Sequence, residues 1–122
     1  MNEYVTLNII NGDDIKIPFK NIQYIGWDER KYYKNGVLKS GKYINNFIIE
    51  FFVDENIKYI DININNENDI LDKIKKYSDI SEIEINNNKF LPYWKEDRNN
   101  PNCNLNQKVS NNNGIIRLEI GW

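Results

Sequence analysis

The stretch Phe47-Ile-Ile-Glu-Phe-Phe-Val53 is nearly continuous in apolar character. A short run rich in β-branched and aromatic residues is typical of a strand that is covered on both faces of a sheet. Farther along the chain, Ile57 to Ile64 alternates isoleucine with polar side chains and tyrosine, which is the pattern of a strand with one buried face. Two long strands of these kinds indicate that a β-sheet forms the core.

Asn-Gly pairs indicate two hairpins before this stretch and the start of a strand after it. Asn11-Gly12 follows the alternating residues 3–10, Asn35-Gly36 lies within residues 30–43, and Asn113-Gly114 precedes residues 115–120. Both central positions of a tight hairpin turn need positive φ, which Gly and Asn adopt with the least strain. The pattern predicts about 7–9 strands in a mainly antiparallel or small barrel-like sheet. The other expected strands lie at residues 15–19, 22–27, 83–85 and 90–94.

Residues 66–77 carry the pattern of an amphipathic helix. Apolar side chains recur at helical spacing at Ile70, Leu71, Ile74 and Tyr77. An asparagine at the N-terminal end suits the cap, acidic residues follow in the first turn, and lysines lie near the C-terminal end, as the helix dipole favours. The sequence therefore predicts one substantial amphipathic helix near residues 66–77, and an α+β fold that is dominated by β-structure.

The size and composition of the chain indicate one domain. It has 122 residues, of which 40% are hydrophobic and 13% aromatic. That content is enough to bury a modest continuous core and too apolar for a disordered chain. We expect a single domain over residues 1–122, with a long Asn-rich loop at about 95–113. A loop of this length is functional, flexible or contains a short element that the pattern does not reveal. The chain has no alanine and is rich in Asn, Ile and Lys, the residue types of AT-rich codons.

Several classes of function lose support because their residues are missing. The chain has no histidine, which excludes Ser-His and Cys-His nucleophile pairs and most zinc sites. Its single cysteine, Cys103, forms no internal disulfide, and no secretory signal or membrane span is visible. We expect a non-enzymatic protein without a cofactor or metal, in the cytoplasm of a bacterium or of a phage-infected cell. The adjacent acids Asp13-Asp14, Asp28-Glu29 and Glu96-Asp97 are normal at turns and leave a metal-dependent activity as an alternative.

Residues 30–43 form the least random part of the sequence. They contain five cations, three tyrosines and no acid, although the whole chain has a net charge of −2. Lysines that contact phosphates, beside rings that stack on bases, would bind a nucleic acid, and the same set would fit an acidic groove on a protein. Lysines also keep the edge strand of a solvated hairpin from aggregating. The candidate binding residues here are Arg30, Lys31, Tyr32, Tyr33, Lys34, Lys39, Lys42 and Tyr43.

The three arginines and two of the tryptophans supply the other candidates. In a chain that prefers lysine, a retained arginine indicates a position that needs the planar, bidentate guanidinium. Arg30 follows Trp27 and Arg98 follows Trp94, so a ring lies near an anion-binding fork in both places. Arg117 is the third arginine. A structural ion pair is the alternative explanation for each of them.

These features favour a small binding protein that inhibits or sequesters a macromolecular partner, as anti-defence proteins of phages and mobile elements and immunity proteins do. The partner is expected to be a protein, for example a nucleic-acid-handling enzyme. One alternative is a protein that binds a nucleotide-like signal through Trp27 or Trp94 and Arg30, Arg98 or Arg117. Another is a nuclease or phosphodiesterase that holds a metal with carboxylates. A homodimer is compatible with each hypothesis.

Overall fold

A computed structural model describes residues 4–10, 14–54, 80–96 and 106–121, and strands dominate this part of the chain. One short α-helix, α1, spans Tyr93–Glu96, and a single 3-10 turn spans Phe19–Asn21. The strands are β1 (Tyr4–Ile9), β2 (Asp14–Pro18), β3 (Ile22–Arg30), β4 (Tyr33–Lys34), β5 (Val37–Leu38), β6 (Tyr43–Phe52), β7 (Ile80–Ile85), β8 (Asn88–Pro92), β9 (Asn106–Asn112) and β10 (Ile115–Gly121).

Asparagine and glycine close three of the hairpins with two-residue turns. Asn35 and Gly36 have φ of 53° and 76° between β4 and β5, and Asn113 and Gly114 have φ of 54° and 86° between β9 and β10. Positive φ at both central positions gives a turn whose twist matches that of the flanking strands. The sequence predicted the hairpin at Asn35-Gly36, and the antiparallel pairing of β1 with β2 confirms the hairpin predicted at Asn11-Gly12. At Asn113-Gly114 it predicted only the strand that follows the turn, and not β9, which precedes it. A third turn of this kind, at residues 86–87, joins β7 to β8 through two asparagines.

The main sheet is mixed and curls into a half-barrel. Seven strands follow the order β2-β1-β7-β8-β6-β10-β9, and β3 also pairs with β6. The contact between β6 and β8, from Tyr43 to Leu91 and from Ile44 to Pro92, is parallel, whereas the other pairings are antiparallel. The prediction of a β-dominated, mainly antiparallel and barrel-like sheet is therefore confirmed at this level.

The central strand β6 is where the sheet divides. One edge of β6 pairs with β3 over nearly its whole length. The opposite edge pairs with β8 at Tyr43 and Ile44, and with β10 from Phe47 to Phe52. Asn45 and Asn46 lie between these two contacts, and Asn46 has a left-handed φ of 50°. This local bend directs β8 and β10 to different parts of the curled sheet.

The core consists of the alternate residues that the strands turn inward. In β6, Phe47, Ile49 and Phe51 are buried and the residues between them are half-exposed, so the doubly covered strand that the sequence predicts is buried mainly on one face. Trp94 of α1 joins this core and is fully buried. The buried cluster comprises Val5, Leu7, Ile9, Ile15, Ile17, Ile44, Phe47, Ile49, Phe51, Ile80, Ile83, Ile85, Phe90, Trp94, Ile116, Leu118 and Ile120.

The amphipathic helix near residues 66–77 and the strand from Ile57 to Ile64 lie outside the described residues, within which α1 is the only α-helix. The predicted loop at about 95–113 is wrong at both ends, because residues 95–96 belong to α1 and residues 106–112 form β9. Strand β9 is strongly polar and sits at an edge of the sheet, where little burial is required. No helix in the described part of the chain has the length and apolar character that a membrane crossing requires.

Candidate functional site

The projecting hairpin, residues 31–42, is a two-stranded unit separate from the main sheet. The backbone amide of Lys39 donates to the carbonyl of Tyr32 at 2.8 Å, which extends the ladder toward the main sheet. The amide of Leu91 donates to the carbonyl of Lys42 at 2.7 Å and joins the hairpin to β8. The hairpin therefore has a defined conformation from its turn to its base. Its cross-strand pairs are Tyr33 with Leu38 and Lys34 with Val37.

Apolar side chains are exposed at the tip of this hairpin. Tyr33 is 56% exposed, Val37 62% and Leu38 51%. Side chains on a strand alternate between its faces, so Tyr33 and Leu38 share one face while Val37 shares the other with Lys34. Lys31, Lys34 and Lys39 are exposed as well. The tip thus combines apolar surface with cations and contains no acid.

Three tyrosine rings fix the base of the hairpin. Tyr32 and Tyr43 are 8% and 5% exposed, and their ring centroids are 5.5 Å apart. Tyr93 of α1 meets Tyr32 edge-on at 5.7 Å and Tyr43 edge-on at 6.5 Å. The guanidinium carbon of Arg30 lies 5.7 Å from the centroid of Tyr93, within range of a cation–π interaction. Tyr32 and Tyr43, predicted as contact residues, are therefore buried anchors of the hairpin.

Charge around this tyrosine cluster affects the ionisation of Tyr43. Burial raises the pKa of the Tyr43 hydroxyl, because the phenolate would lose its hydration. The carboxylate of Glu96, at the end of α1, raises that pKa further through charge repulsion, and Tyr32 adds to it. Tyr43 therefore stays protonated and neutral at physiological pH.

Lys42 differs from the other lysines of the projecting hairpin. Its ammonium donates to Oδ1 of Asn88 at 2.8 Å. Asn88 is the first residue of β8, directly after the turn at residues 86–87. Gly41, which precedes Lys42, has a φ of 123°, and a Cβ atom there would lie 3.2 Å from Leu91. Lys42 is exposed like Lys31, Lys34 and Lys39, but its hydrogen bond places it, with Gly41, at the base of the hairpin.

The structure separates the remaining candidates. Trp94 lies in the core, so its indole presents no surface to a partner. Trp27 is half-buried and packs on Phe90 with ring centroids 6.1 Å apart. Arg117 forms ion pairs with Glu50, directly opposite on β6, and with Glu119 at 3.4 Å. Trp94 is therefore part of the core, which corrects its place among the binding residues. The ion pairs of Arg117 agree with the structural alternative, and its role in binding stays a prediction. Arg98 and Cys103 lie outside the described residues.

In the described part of the chain, no group of three or more Cys, Asp or Glu side chains has an arrangement that suits a metal ion. Asp13 and Asp97, of two of the predicted acidic pairs, lie outside the described residues. Asp28 and Glu29 lie on strand β3 rather than at a turn, so successive side chains point to opposite faces. The side chain of Asp28 accepts a hydrogen bond from Nδ2 of Asn46 at 2.8 Å.

Sequence reasoning missed Val37 and Leu38 as surface residues and Tyr93 as an anchor. A usable signal was present for the first two. They directly follow an Asn-Gly turn in a hairpin whose strands are too short to be covered by a second layer. No comparable signal marks Tyr93, because its contacts with Tyr32 and Tyr43 join distant parts of the sequence.

Comparison of the chain with models of protein families, with curated proteins and with solved structures found no match.

Proposed function

We propose that this chain is a small non-enzymatic binding protein that inhibits or sequesters a macromolecular partner through the projecting hairpin. The observation that carries the proposal is the exposure of Tyr33, Val37 and Leu38, between 51% and 62%, beside exposed lysines. Apolar side chains gain free energy when a partner removes them from water. Aromatic and aliphatic anchors surrounded by polar groups are the usual composition of an interface.

The conformation of the hairpin supports the same role. A tight Asn-Gly turn at its tip and the buried rings of Tyr32 and Tyr43 at its base limit the conformations that it adopts. A segment that is already ordered loses less conformational entropy on binding. Protection of an edge strand by lysines accounts for Lys34 and Lys39, but it does not account for apolar residues exposed on both faces of the same hairpin.

The alternatives draw less support from the geometry. A nucleotide site loses Trp94 to the core, and Arg117 is engaged in ion pairs with Glu50 and Glu119. Of the other described candidates for that site, Trp27 packs on Phe90 and Arg30 lies over the ring of Tyr93. A binding protein of the proposed kind resembles in size and design the inhibitors that phages, mobile elements and toxin–immunity pairs encode. In that role it acts in the cytoplasm of a bacterium or of an infected host cell.

Affinity capture from a lysate of the native host tests the proposal. The wild type is compared with the Val37→Ser/Leu38→Ser variant by quantitative mass spectrometry, after circular dichroism confirms that both are folded. Ile10→Ser is the matched control, because Ile10 is 45% exposed at the end of β1, away from the hairpin. We expect a partner that the wild type and the control retain and the hairpin variant loses. Equal recovery by all three proteins, or recovery of no partner by the wild type, would contradict the proposal.

A further inference from the structure

We infer that the projecting hairpin fits a cleft on a protein, with an apolar floor and an acidic rim, and does not fit a nucleic acid. This inference rests on the proposed function and specifies the chemistry of the partner. It follows from three properties of the hairpin: the kind of apolar side chain that it exposes, the extent of its positive charge and its shape.

The exposed apolar side chains suit a protein better than a nucleic acid. Proteins that bind single strands stack successive bases on aromatic rings. Of the three tyrosines between residues 30 and 43, only Tyr33 is exposed, because Tyr32 and Tyr43 are buried in the cluster at the base. The other two exposed side chains, Val37 and Leu38, are aliphatic and have no π-face. Their burial is favourable only against apolar surface, which a protein cleft supplies.

The positive charge of the hairpin is local. Residues 30–43 carry five cations and no acid while the whole chain has a net charge of −2, so the remaining residues together carry −7. The exposed acids Asp28 and Glu29 precede Arg30 directly on β3. An extended polyanion that contacted the hairpin would soon meet negative charge, since interactions over about 10 Å persist at ordinary salt. The carboxylates around the rim of a single cleft, unlike an extended polyanion, reach only the lysines of the hairpin and stay away from Asp28 and Glu29.

The shape of the hairpin matches insertion into a cleft. Each of its strands is two residues long, and the Asn35-Gly36 turn lies at the end. One face presents the ring of Tyr33 with Leu38, so this face is placed on the apolar floor, and Val37 on the other face is placed against an apolar wall of the cleft. Lys31, Lys34 and Lys39 are exposed on the hairpin and are placed opposite the carboxylates of the rim. Lys42, which binds Asn88, remains at the base.

The first arm of the test measures nucleic-acid binding. Fluorescence anisotropy is recorded with labelled single-stranded DNA, single-stranded RNA and duplex DNA, at low and at physiological salt. We expect no saturable binding at physiological salt. Saturable binding that the Lys31→Gln/Lys34→Gln/Lys39→Gln variant loses would overturn the inference on the partner's chemistry while leaving the hairpin as the binding element. Nucleic-acid binding that is unchanged in this variant would overturn the proposed function as well.

The second arm uses a phage-displayed random peptide library, selected on the wild-type protein. We expect enriched peptides that combine Asp or Glu with Leu, Ile, Phe or Trp. The synthesised peptides should bind the Val37→Ser/Leu38→Ser variant at least about tenfold more weakly. They should also bind the triple glutamine variant more weakly and with less dependence on salt, because the charge contacts are gone.

Three results in this arm would overturn the inference. One is an enriched set of peptides without acidic residues, and a second is equal affinity for the wild type and the triple glutamine variant. The third is a selection that enriches no peptide able to distinguish the wild type from the hairpin variants. Peptides that bind the Val37→Ser/Leu38→Ser variant as tightly as the wild type would overturn the proposed function too.

Discussion

Gly121, the last residue of β10, lies directly against the backbone of Asn46. A Cβ atom at position 121 would be 2.7 Å from Cα of Asn46 and 3.0 Å from its backbone nitrogen. Asn46 adopts a left-handed φ of 50° at the point where the pairing of β6 passes from β8 to β10. The end of β10 therefore packs onto the bend in β6, and only glycine leaves room for that contact.

We predict that Gly121→Ala lowers the free energy of unfolding by about 2 kcal/mol. The added methyl group meets backbone atoms of Asn46, which move only if the bend in β6 changes. The measurement is urea denaturation followed by tryptophan fluorescence.

Gly26→Ala is the matched control for this substitution, because it makes the same change within a strand. There the new methyl group meets the ring of Tyr24, at 3.0 Å from its hydroxyl oxygen, and that ring is 51% exposed and free to rotate outward. We expect this variant to change stability by less than about 1 kcal/mol. Equal destabilisation by the two alanines would show that the contact with Asn46 has no special importance.

The two buried asparagines should respond in opposite directions to substitution by valine. Nδ2 of Asn21 donates to the carbonyl of Phe52 at 2.9 Å and to Asp54 at 2.8 Å. The side-chain amide of Asn45, by contrast, has no hydrogen-bond partner among the described residues. A buried polar group without a hydrogen bond lowers the stability of the fold by about 1–3 kcal/mol. Removal of the Asn21 side chain takes one hydrogen bond from the carbonyl of Phe52 and one from Asp54, at a similar cost in stability. We predict that Asn45→Val stabilises the protein and that Asn21→Val destabilises it by about that amount, as thermal denaturation would measure. A large loss of stability in Asn45→Val would contradict this assignment.

Local turn chemistry accounts for the part of the fold that the sequence predicted. Asn35-Gly36 requires a conformation that few other residue pairs adopt, so its hairpin was visible without any tertiary information. Asn113-Gly114 marked the start of β10 for the same reason. The alternation of apolar residues in β1 and β10 was visible for the same reason, because a half-buried strand has a period of two. The basic hairpin of the candidate site followed from these local signals.

Contacts between distant residues account for what was missed. The parallel pairing of Tyr43 with Leu91 depends on how the whole sheet closes, and no local pattern encodes it. Trp94 was assigned to a binding surface because Arg98 follows it closely, but α1 turns its indole into the core. The ion pair between Arg117 and Glu50 depends on the register of β10 on β6, which alternation alone does not fix.

The ion pair of Arg117 with Glu50 should contribute modestly to stability. Both side chains are partly solvated, at 39% and 27% exposure, so the charge interaction is screened. A double-mutant cycle with Arg117→Gln and Glu50→Gln should give a coupling energy of about 0.5–1 kcal/mol that falls as salt is added. Arg117→Gln should leave hairpin-mediated binding unchanged. Absence of coupling together with weaker binding would keep Arg117 in the set of contact residues.

Tyr43 should make the protein less stable in alkaline solution. Burial, then Glu96, then Tyr32 raise the pKa of its hydroxyl above the ordinary value of about 10 in the unfolded chain. Between these two pKa values the unfolded state releases a proton that the folded state keeps, so the free energy of unfolding falls as pH rises. This stabilisation is complete below about pH 10 and is lost as pH rises through the folded-state pKa.

We therefore predict that Tyr43→Phe weakens the fall in stability above about pH 10. Chemical denaturation at a series of alkaline pH values, for the variant and for the wild type, measures the difference. Tyr33→Phe is the control, because it removes a hydroxyl from an exposed ring, and it should keep the slope of the wild type. Identical slopes for all three proteins would show that Tyr43 titrates alike in both states.

The projecting hairpin should depend on Tyr32 more than the rest of the fold does. Tyr32 packs on Tyr43 and Tyr93 at 5.5 and 5.7 Å, and its carbonyl accepts the hydrogen bond from the amide of Lys39. Truncation of a buried aromatic ring to alanine costs about 3 kcal/mol. Because the cluster is the attachment point of the hairpin, we expect Tyr32→Ala to release the hairpin before the core unfolds.

Amide hydrogen exchange measured by NMR distinguishes local release from general destabilisation. In Tyr32→Ala the backbone amide of Lys39 should lose its protection from exchange. The backbone amide of Ile49, in the middle of β6, should lose protection only as far as the global stability of the protein falls. Tyr32→Phe keeps the ring contacts and should keep the protection of Lys39. Equal losses of protection at Lys39 and Ile49 would mean that the hairpin opens only when the whole protein unfolds. A hairpin that opens alone in Tyr32→Ala should also bind its partner more weakly, although Tyr32 is buried, because the ordered conformation then has to form during binding.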